Sequence, residues 1–171
     1  MKKLFTLLFL LFAVTSISFA STKEEIMKDL EMYNRDINTK IVDALGKIEQ
    51  ETVVIDNVIE KGAKNDVNAS MKIIDNQVKY IVDSMQQYTS KIKTQEVKDY
   101  HEITIEYIKV RHAFLKDATS SYLKNGKITD TEKERITNKY AQTFAELDKK
   151  NAEILKKLTV AIHPDQSTTK Q

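Results

Sequence analysis

One run of apolar residues constrains the fold more than any other feature of this chain. Eight of them recur at alternating steps of four and three positions: Val67, Met71, Ile74, Val78, Ile81, Met85, Tyr88 and Ile92. This repeat places all eight side chains on one side of a helix, where they can pack along a second helix. We therefore expect long helices that pair along their length.

Three further stretches carry apolar stripes with a mean step near the helical period. They begin at Ser21, Thr94 and Thr129. The first stripe is Ile26, Leu30, Tyr33, Ile37, Ile41, Leu45, Ile48, Ile55 and Ile59; the second is Val97, Tyr100, Ile103, Tyr107, Val110 and Phe114; the third is Ile136, Tyr140, Phe144, Leu147, Ile154, Leu158 and Ile162. Together with the first run, these stripes predict four amphipathic helices.

Turn and capping residues separate the four stretches. Gly62 suits a helix C-terminus, and Asn65 or Asp66 suits the next N-cap. Asn125-Gly126 predicts a turn, and Thr129 with Glu132 forms a capping box. Gly46 lies inside the first stretch and predicts a close approach, a bend or a break.

Composition narrows the fold class. The 171 residues include three glycines and one proline, too few turn-formers for a β-sandwich or barrel. Short connections between long helices favour antiparallel neighbours. The prediction is an all-α fold, an up-down-up-down four-helix bundle over residues 21–163. The alternative is a dimer of long helical hairpins, because an apolar seam does not say whose helix it faces.

The first twenty residues have the layout of a secretory signal peptide. Lys2 and Lys3 precede the apolar run 4–14, and small residues lead to Ala20. We expect cleavage after Ala20, export to the periplasm or outside the cell, and no membrane insertion afterwards. The run is about half the ~20 residues of a spanning helix. Residues 164–171 are polar and are expected to form a flexible tail.

Charge argues against nucleic-acid binding. Without the two lysines of the signal peptide, basic and acidic residues are equal at 25 each. Proteins that bind nucleic acids rely on a clustered surplus of lysine and arginine. Because the chain has no cysteine, thiol catalysis and cysteine-based metal sites are excluded.

The three histidines do not form a recognisable metal site. No glutamate precedes His101, His112 or His163 by three positions, as a di-iron bundle requires. His101 and His112 are eleven residues apart, about 16 Å along a helix, too far to share an ion. We interpret all three as surface or seam-edge histidines, and we expect no metal or cofactor.

A second candidate is half of a calcium loop. Residues 125–132 have asparagine, glycine, isoleucine and glutamate at the offsets of an EF-hand. The positions that should supply the first carboxylates are Ser121 and Leu123, which cannot do so. We interpret the segment as a turn followed by a helix cap.

No catalytic motif is present either, so the sequence predicts a non-enzymatic exported bundle that acts by protein–protein interaction, with a homodimer among the expected assemblies. The alternative is a small-ligand-binding bundle. The polar seam positions Thr52 and Asn151 motivate it, together with the inward tyrosines Tyr33, Tyr88, Tyr100, Tyr107 and Tyr140. A metal-binding protein or an enzyme ranks third.

Overall fold

The computed structural model describes residues 21–163 and is all-helical in that range. Its helices are α1 (Ser21–Tyr33), α2 (Thr39–Lys61), α3 (Val67–Tyr88), α4 (Gln95–Asn125) and α5 (Asp130–Ile162). A π-helical segment, Asn34–Asn38, joins α1 to α2, so these two form one continuous rod. The all-α prediction with four packed helices is confirmed. The predicted signal peptide and C-terminal tail lie outside the described residues.

The irregular point of the first rod is the π-helical segment and not Gly46, through which α2 runs unbroken. The Thr39 hydroxyl donates to the carbonyl oxygens of Asn34 at 3.0 Å and Arg35 at 2.5 Å. These bonds satisfy carbonyl groups that the wider turn displaces.

The wider turn also keeps the apolar stripe in register. A π turn holds more residues per turn than an α turn, so a step of four falls just short of a full turn within it and just beyond a full turn in a regular α-helix, and the two offsets cancel. Ile37 and Ile41 are therefore both buried, although two successive steps of four would drift around a regular helix.

The connections follow the predicted caps with one exception. Gly62 and Gly126 adopt left-handed conformations at the ends of α2 and α4, with φ of 67° and 68°. The Asp66 carboxylate accepts from the backbone N–H groups of Asn68 and Ala69 at the start of α3. Thr94 occupies the N-cap of α4, but its side chain makes no capping bond there.

Two apolar clusters form the core. The first combines residues of α1, the end of α3, the start of α4 and the end of α5, among them Ile26, Ile81, Val97, Leu158 and Ile162. The second combines the end of α2 with the start of α3, and partly buried residues of α4 pack against it. All eight residues of the predicted seam over 67–92 are buried.

The segment Ile103–Tyr107 alternates like a strand in sequence, yet it is helical and lies within α4. α4 packs along both α3 and α5, and α5 also contacts α1. Within residues 21–163, no helix combines the length and the apolar character that crossing a bilayer requires.

Candidate binding site at the π-helical segment

The end of the bundle near the π-helical segment collects three of the five tyrosines predicted to face inward. The Tyr33 ring lies 6.1 Å from that of Tyr88 and 6.0 Å from that of Tyr100, centroid to centroid, in edge-on arrangements. The His101 ring is 5.5 Å from that of Tyr33. Four rings from α1, α3 and α4 therefore share one site.

His101 lies at the centre of this group with no exposed surface, so its assignment to the surface or seam edge is wrong. Its position between Val97 and Ile105, four residues from each, places it on the inner face of α4. His112 is partly buried, and its Nε2 lies 2.5 Å from an Asp75 carboxylate oxygen.

Hydrogen bonds fix the state of His101. Its Nδ1 lies 3.3 Å from the Tyr33 hydroxyl, and its Nε2 lies 2.9 Å from the Thr89 hydroxyl. Thr89 donates its own proton to the Met85 carbonyl oxygen. We therefore assign the proton of the neutral ring to Nε2, with Tyr33 donating to Nδ1. Burial lowers the pKa of His101, which favours this neutral form.

Asp29 supplies the cap that the Thr94 side chain does not provide to its own helix. The buried Asp29 carboxylate accepts from the backbone N–H groups of Lys93 at 2.8 Å and Thr94 at 2.6 Å. It also accepts from the Thr94 hydroxyl at 2.9 Å. A carboxylate from α1 thus satisfies donors at the start of α4 and complements the positive end of that helix.

Tyr88 differs from its neighbours because its hydroxyl is buried without a hydrogen-bond partner among the described residues. Burial raises the pKa of Tyr88, with the nearby Asp36 carboxylate adding to the shift. The phenol is therefore protonated at neutral pH and available as a donor. An unpaired buried hydroxyl is an uncommon and destabilising feature of a folded protein.

A cleft of about 100 Å³ adjoins this tyrosine. Its lining is Ile37, Lys40, Ser84, Gln87, Tyr88 and Lys91. The two lysines come from different elements, since Lys40 belongs to α2 and Lys91 to the 3-10 turn Thr89–Lys91 that follows α3. The π-helical segment contributes Ile37, and bulges of this type occur frequently at functional sites.

The chain balances the positive charge of the cleft only in part, through the electrostatic interaction of the nearby Asp36 carboxylate with Lys40 and Lys91. Among residues 21–163, neither Lys40 nor Lys91 lies within ion-pair distance of a carboxylate. The nearby Asp36 carboxylate is held by Arg35 at 2.7 Å. The Lys91 ammonium lies 5.4 Å from the centroid of the Tyr88 ring. The arrangement therefore suits a small anionic group.

The remaining two tyrosines lie between α4 and α5. The Tyr107 hydroxyl donates to Asp148, and Tyr140 donates to Asp117 at 3.0 Å. Lys139 pairs with the same Asp117 carboxylate at 2.6 Å, which lowers the pKa of that carboxyl. The polar groups of these residues are therefore paired with one another, and we interpret them as part of the packing interface between α4 and α5.

Several other residues singled out in the sequence do not line the cleft. Thr52 donates to the Ile48 carbonyl of its own helix, and Asn151 is partly buried on α5. His163 is the C-cap residue of α5. Met71 and Met85 are buried in the two core clusters.

The half calcium loop is a turn and a cap, as predicted. Ser121 and Leu123 belong to α4, so no loop precedes Gly126. The Thr129 hydroxyl accepts from the Glu132 backbone N–H at 3.3 Å. Across residues 21–163, no group of three or more His, Asp and Glu side chains is arranged to hold a metal ion.

The sequence search for functional residues missed Asp29 and the importance of His101. Both interrupt apolar stripes, since Asp29 lies three residues after Ile26 and four before Tyr33. A polar residue on an inner stripe is the pattern that could have identified them.

We compared the chain with family models, curated proteins and solved structures, and none of them gives a significant match.

Proposed function

We propose that this protein is an exported, non-enzymatic helical bundle that acts by binding another protein through one face of α2. The observation that carries this proposal is a set of exposed apolar positions on that face. Val42 and Val53 are 43% and 53% exposed. Eleven residues of helix bring both to the same side of α2, about 16 Å apart, where a partner helix could contact the two of them together.

Gly46 lies on the same side of α2, four residues after Val42 and seven before Val53. A Cβ atom placed on Gly46 would meet no heavy atom within 4 Å. The chain's own packing therefore does not require glycine there, although glycine inside a helix costs about 0.5–1 kcal/mol relative to alanine. Close approach by a partner helix explains the choice.

Charge indicates the kind of partner. Glu49, Asp56 and Glu60 lie within the same helical face, on the side away from the contact with α3. Arg111 of α4 interacts electrostatically with Glu49 and Asp56 and balances part of this charge. The partner we propose is an amphipathic helix with apolar residues along its centre and basic residues at its flanks.

A photo-crosslinking amino acid tests this face in cells that produce the full chain. Placed at Val53, it should form an adduct with a separate protein. The same amino acid at Val160, which is 43% exposed on α5, is the matched control and should not. Equal adducts at both positions, or none at Val53, would contradict the proposal; an adduct with a second copy would replace the separate partner by a homodimer.

The proposal also includes export of the protein and the up-down-up-down arrangement of its helices. Export requires that the protein recovered outside the cytoplasm begins at Ser21, which intact mass spectrometry measures. A recovered chain that retains residues 1–20 would refute cleavage after Ala20.

The up-down-up-down arrangement is supported by the first core cluster, where the start of α1, the end of α3, the start of α4 and the end of α5 meet. Because the chain has no cysteine, introduced pairs report unambiguously. Met27→Cys with Ala161→Cys should form a disulfide within one chain. The pair Met27→Cys and Tyr122→Cys joins different clusters and should not. A disulfide-linked dimer from the first pair would favour paired hairpins instead.

A further inference from the structure

We propose that the cleft between the π-helical segment and the end of α3 is a binding site for a small oxyanion, a carboxylate or a phosphate group. Lys40 and Lys91 would supply the charge, and Ser84 and Gln87 would supply hydrogen bonds. This site is separate from the α2 face proposed for the protein partner. Its failure would leave that proposal intact.

The first support is the chemistry of the lining. Five of the six residues that line the cleft carry a polar group able to donate a hydrogen bond: Lys40, Ser84, Gln87, Tyr88 and Lys91. None of the six is acidic. Lysine pairs with an oxyanion through charge-assisted bonds, which are about twice as strong as neutral ones.

The second support is the size of the space. A volume of about 100 Å³ is smaller than the ~150 Å³ cavity that accommodates benzene. It therefore suits an anionic group of a few heavy atoms. The apolar side of Ile37 and the ring of Tyr88 form the non-polar part of the wall.

The third support is that one of the lining residues, Tyr88, carries an unpaired donor. Tyr88 is 4% exposed, and its hydroxyl has no partner within residues 21–163. By contrast, the hydroxyls of Tyr33, Tyr107 and Tyr140 each have a hydrogen-bond partner in the chain. Tyr88 also lines the cleft, so a ligand bound there lies against the residue that carries this donor.

The fourth support is the cost of building the site. The π-helical segment replaces a regular α-helical turn next to the cleft. It brings Ile37 to the wall and sets the position from which Lys40 projects. The segment keeps the apolar stripe in register and also places Ile37 and Lys40 at the cleft, and bulges of this type occur frequently at functional sites.

The test is a titration of the ¹⁵N-labelled protein with sodium phosphate, and separately with sodium acetate, at constant ionic strength set by sodium chloride. We expect saturable amide shifts at Lys40, Ser84, Gln87 and Lys91, with one of the two anions binding more tightly. Shifts that chloride reproduces, or shifts spread over lysines throughout the surface, would overturn the proposal.

Two variants separate binding from folding. Lys40→Gln with Lys91→Gln should weaken binding at least about tenfold, because it removes both charge-assisted bonds. Lys47→Gln with Lys72→Gln changes two exposed lysines of the same helical hairpin outside the cleft, and it should leave the affinity unchanged. Equal loss of affinity in both pairs would refute a specific site, and circular dichroism spectra confirm that each variant is folded.

Discussion

Tyr33 and Tyr88 offer a direct test of the hydrogen-bond assignment at the tyrosine cluster. They are 3% and 4% exposed, and their rings contact each other. The Tyr33 hydroxyl is bonded to His101, whereas the Tyr88 hydroxyl is unpaired among the described residues. Replacement by phenylalanine removes only the hydroxyl in each case, so we expect opposite effects on the free energy of unfolding.

The magnitudes follow from the two environments. Tyr88→Phe removes a buried donor that has lost its water and gained no partner, a penalty of about 1–3 kcal/mol. We expect the variant to be more stable by about 1 kcal/mol, the lower end of this range, because the hydroxyl is also partly shielded from water in a compact denatured chain. Tyr33→Phe removes a bond and leaves His101 Nδ1 unpaired, which should cost about 1–3 kcal/mol.

The measurement is urea denaturation followed by far-ultraviolet circular dichroism at pH 7.5, in a buffer without phosphate or carboxylate. For a chain of this length each 1 kcal/mol corresponds to about 2–4 °C in the melting temperature, which a thermal scan checks independently. Tyr80→Phe is the matched control, since Tyr80 is 48% exposed and should change little.

A less stable Tyr88→Phe would refute the reasoning, because the hydroxyl would then have a partner in the folded protein. Equal signs for Tyr33→Phe and Tyr88→Phe would do the same. A stabilised Tyr88→Phe that also binds oxyanion more weakly would link the unpaired donor to the cleft.

Three further results are expected. Because the folded pKa of His101 lies below its unfolded value of about 6.5, the unfolded chain takes up more protons as the pH falls. Stability should therefore decline from pH 7.5 to 5.5, and His101→Gln should flatten this dependence. The groups facing His101 are Tyr33, Thr89 and the Met85 backbone carbonyl, none of which carries a charge in this range. A wild-type stability that stays constant from pH 7.5 to 5.5 would contradict the assignment. Asp29→Asn should lower the free energy of unfolding by about 1.5–3 kcal/mol, measured by urea denaturation, and should speed amide exchange at Lys93 and Thr94. The control Asp43→Asn, at an exposed position of α2, should be near neutral, and an equal loss of stability in both variants would show that the Asp29 bonds do not cap α4. Gly46→Ala should raise the free energy of unfolding by about 0.5–1 kcal/mol, because the position is helical and has open space around it, whereas Gly62→Ala should lower it by about 1–2 kcal/mol because Gly62 has a φ of 67°. A destabilised Gly46→Ala would show that the packing of the chain itself requires this glycine.

Much of the fold could be predicted because it depends on local patterns. The four-and-three spacing over 67–92 predicted a buried seam, and the structure buries all eight residues. Asp66 and Gly126 lie at helix ends for reasons of local hydrogen bonding and backbone sterics, which a short stretch of sequence contains. The π-helical segment was not predicted, because one extra residue in a turn changes the apolar spacing only slightly.

The candidate site was harder to predict because its members come from distant parts of the chain. Asp29 caps a helix more than sixty residues away, and His101 bonds to Tyr33 across a similar separation. Periodicity identifies which face of a helix is buried, but it does not identify the partner that an inward polar group will meet.

The sequence by itself determined the helical class, the turns and the apolar faces, because these depend on interactions between residues a few positions apart. Only the tertiary structure decided that His101 is buried and neutral, that the Tyr88 hydroxyl lacks a partner, and that Lys40 and Lys91 share a cleft. The physical reason is that burial and hydrogen bonding depend on which helices meet and at what register. That outcome is set by packing over the whole chain and not by any single segment.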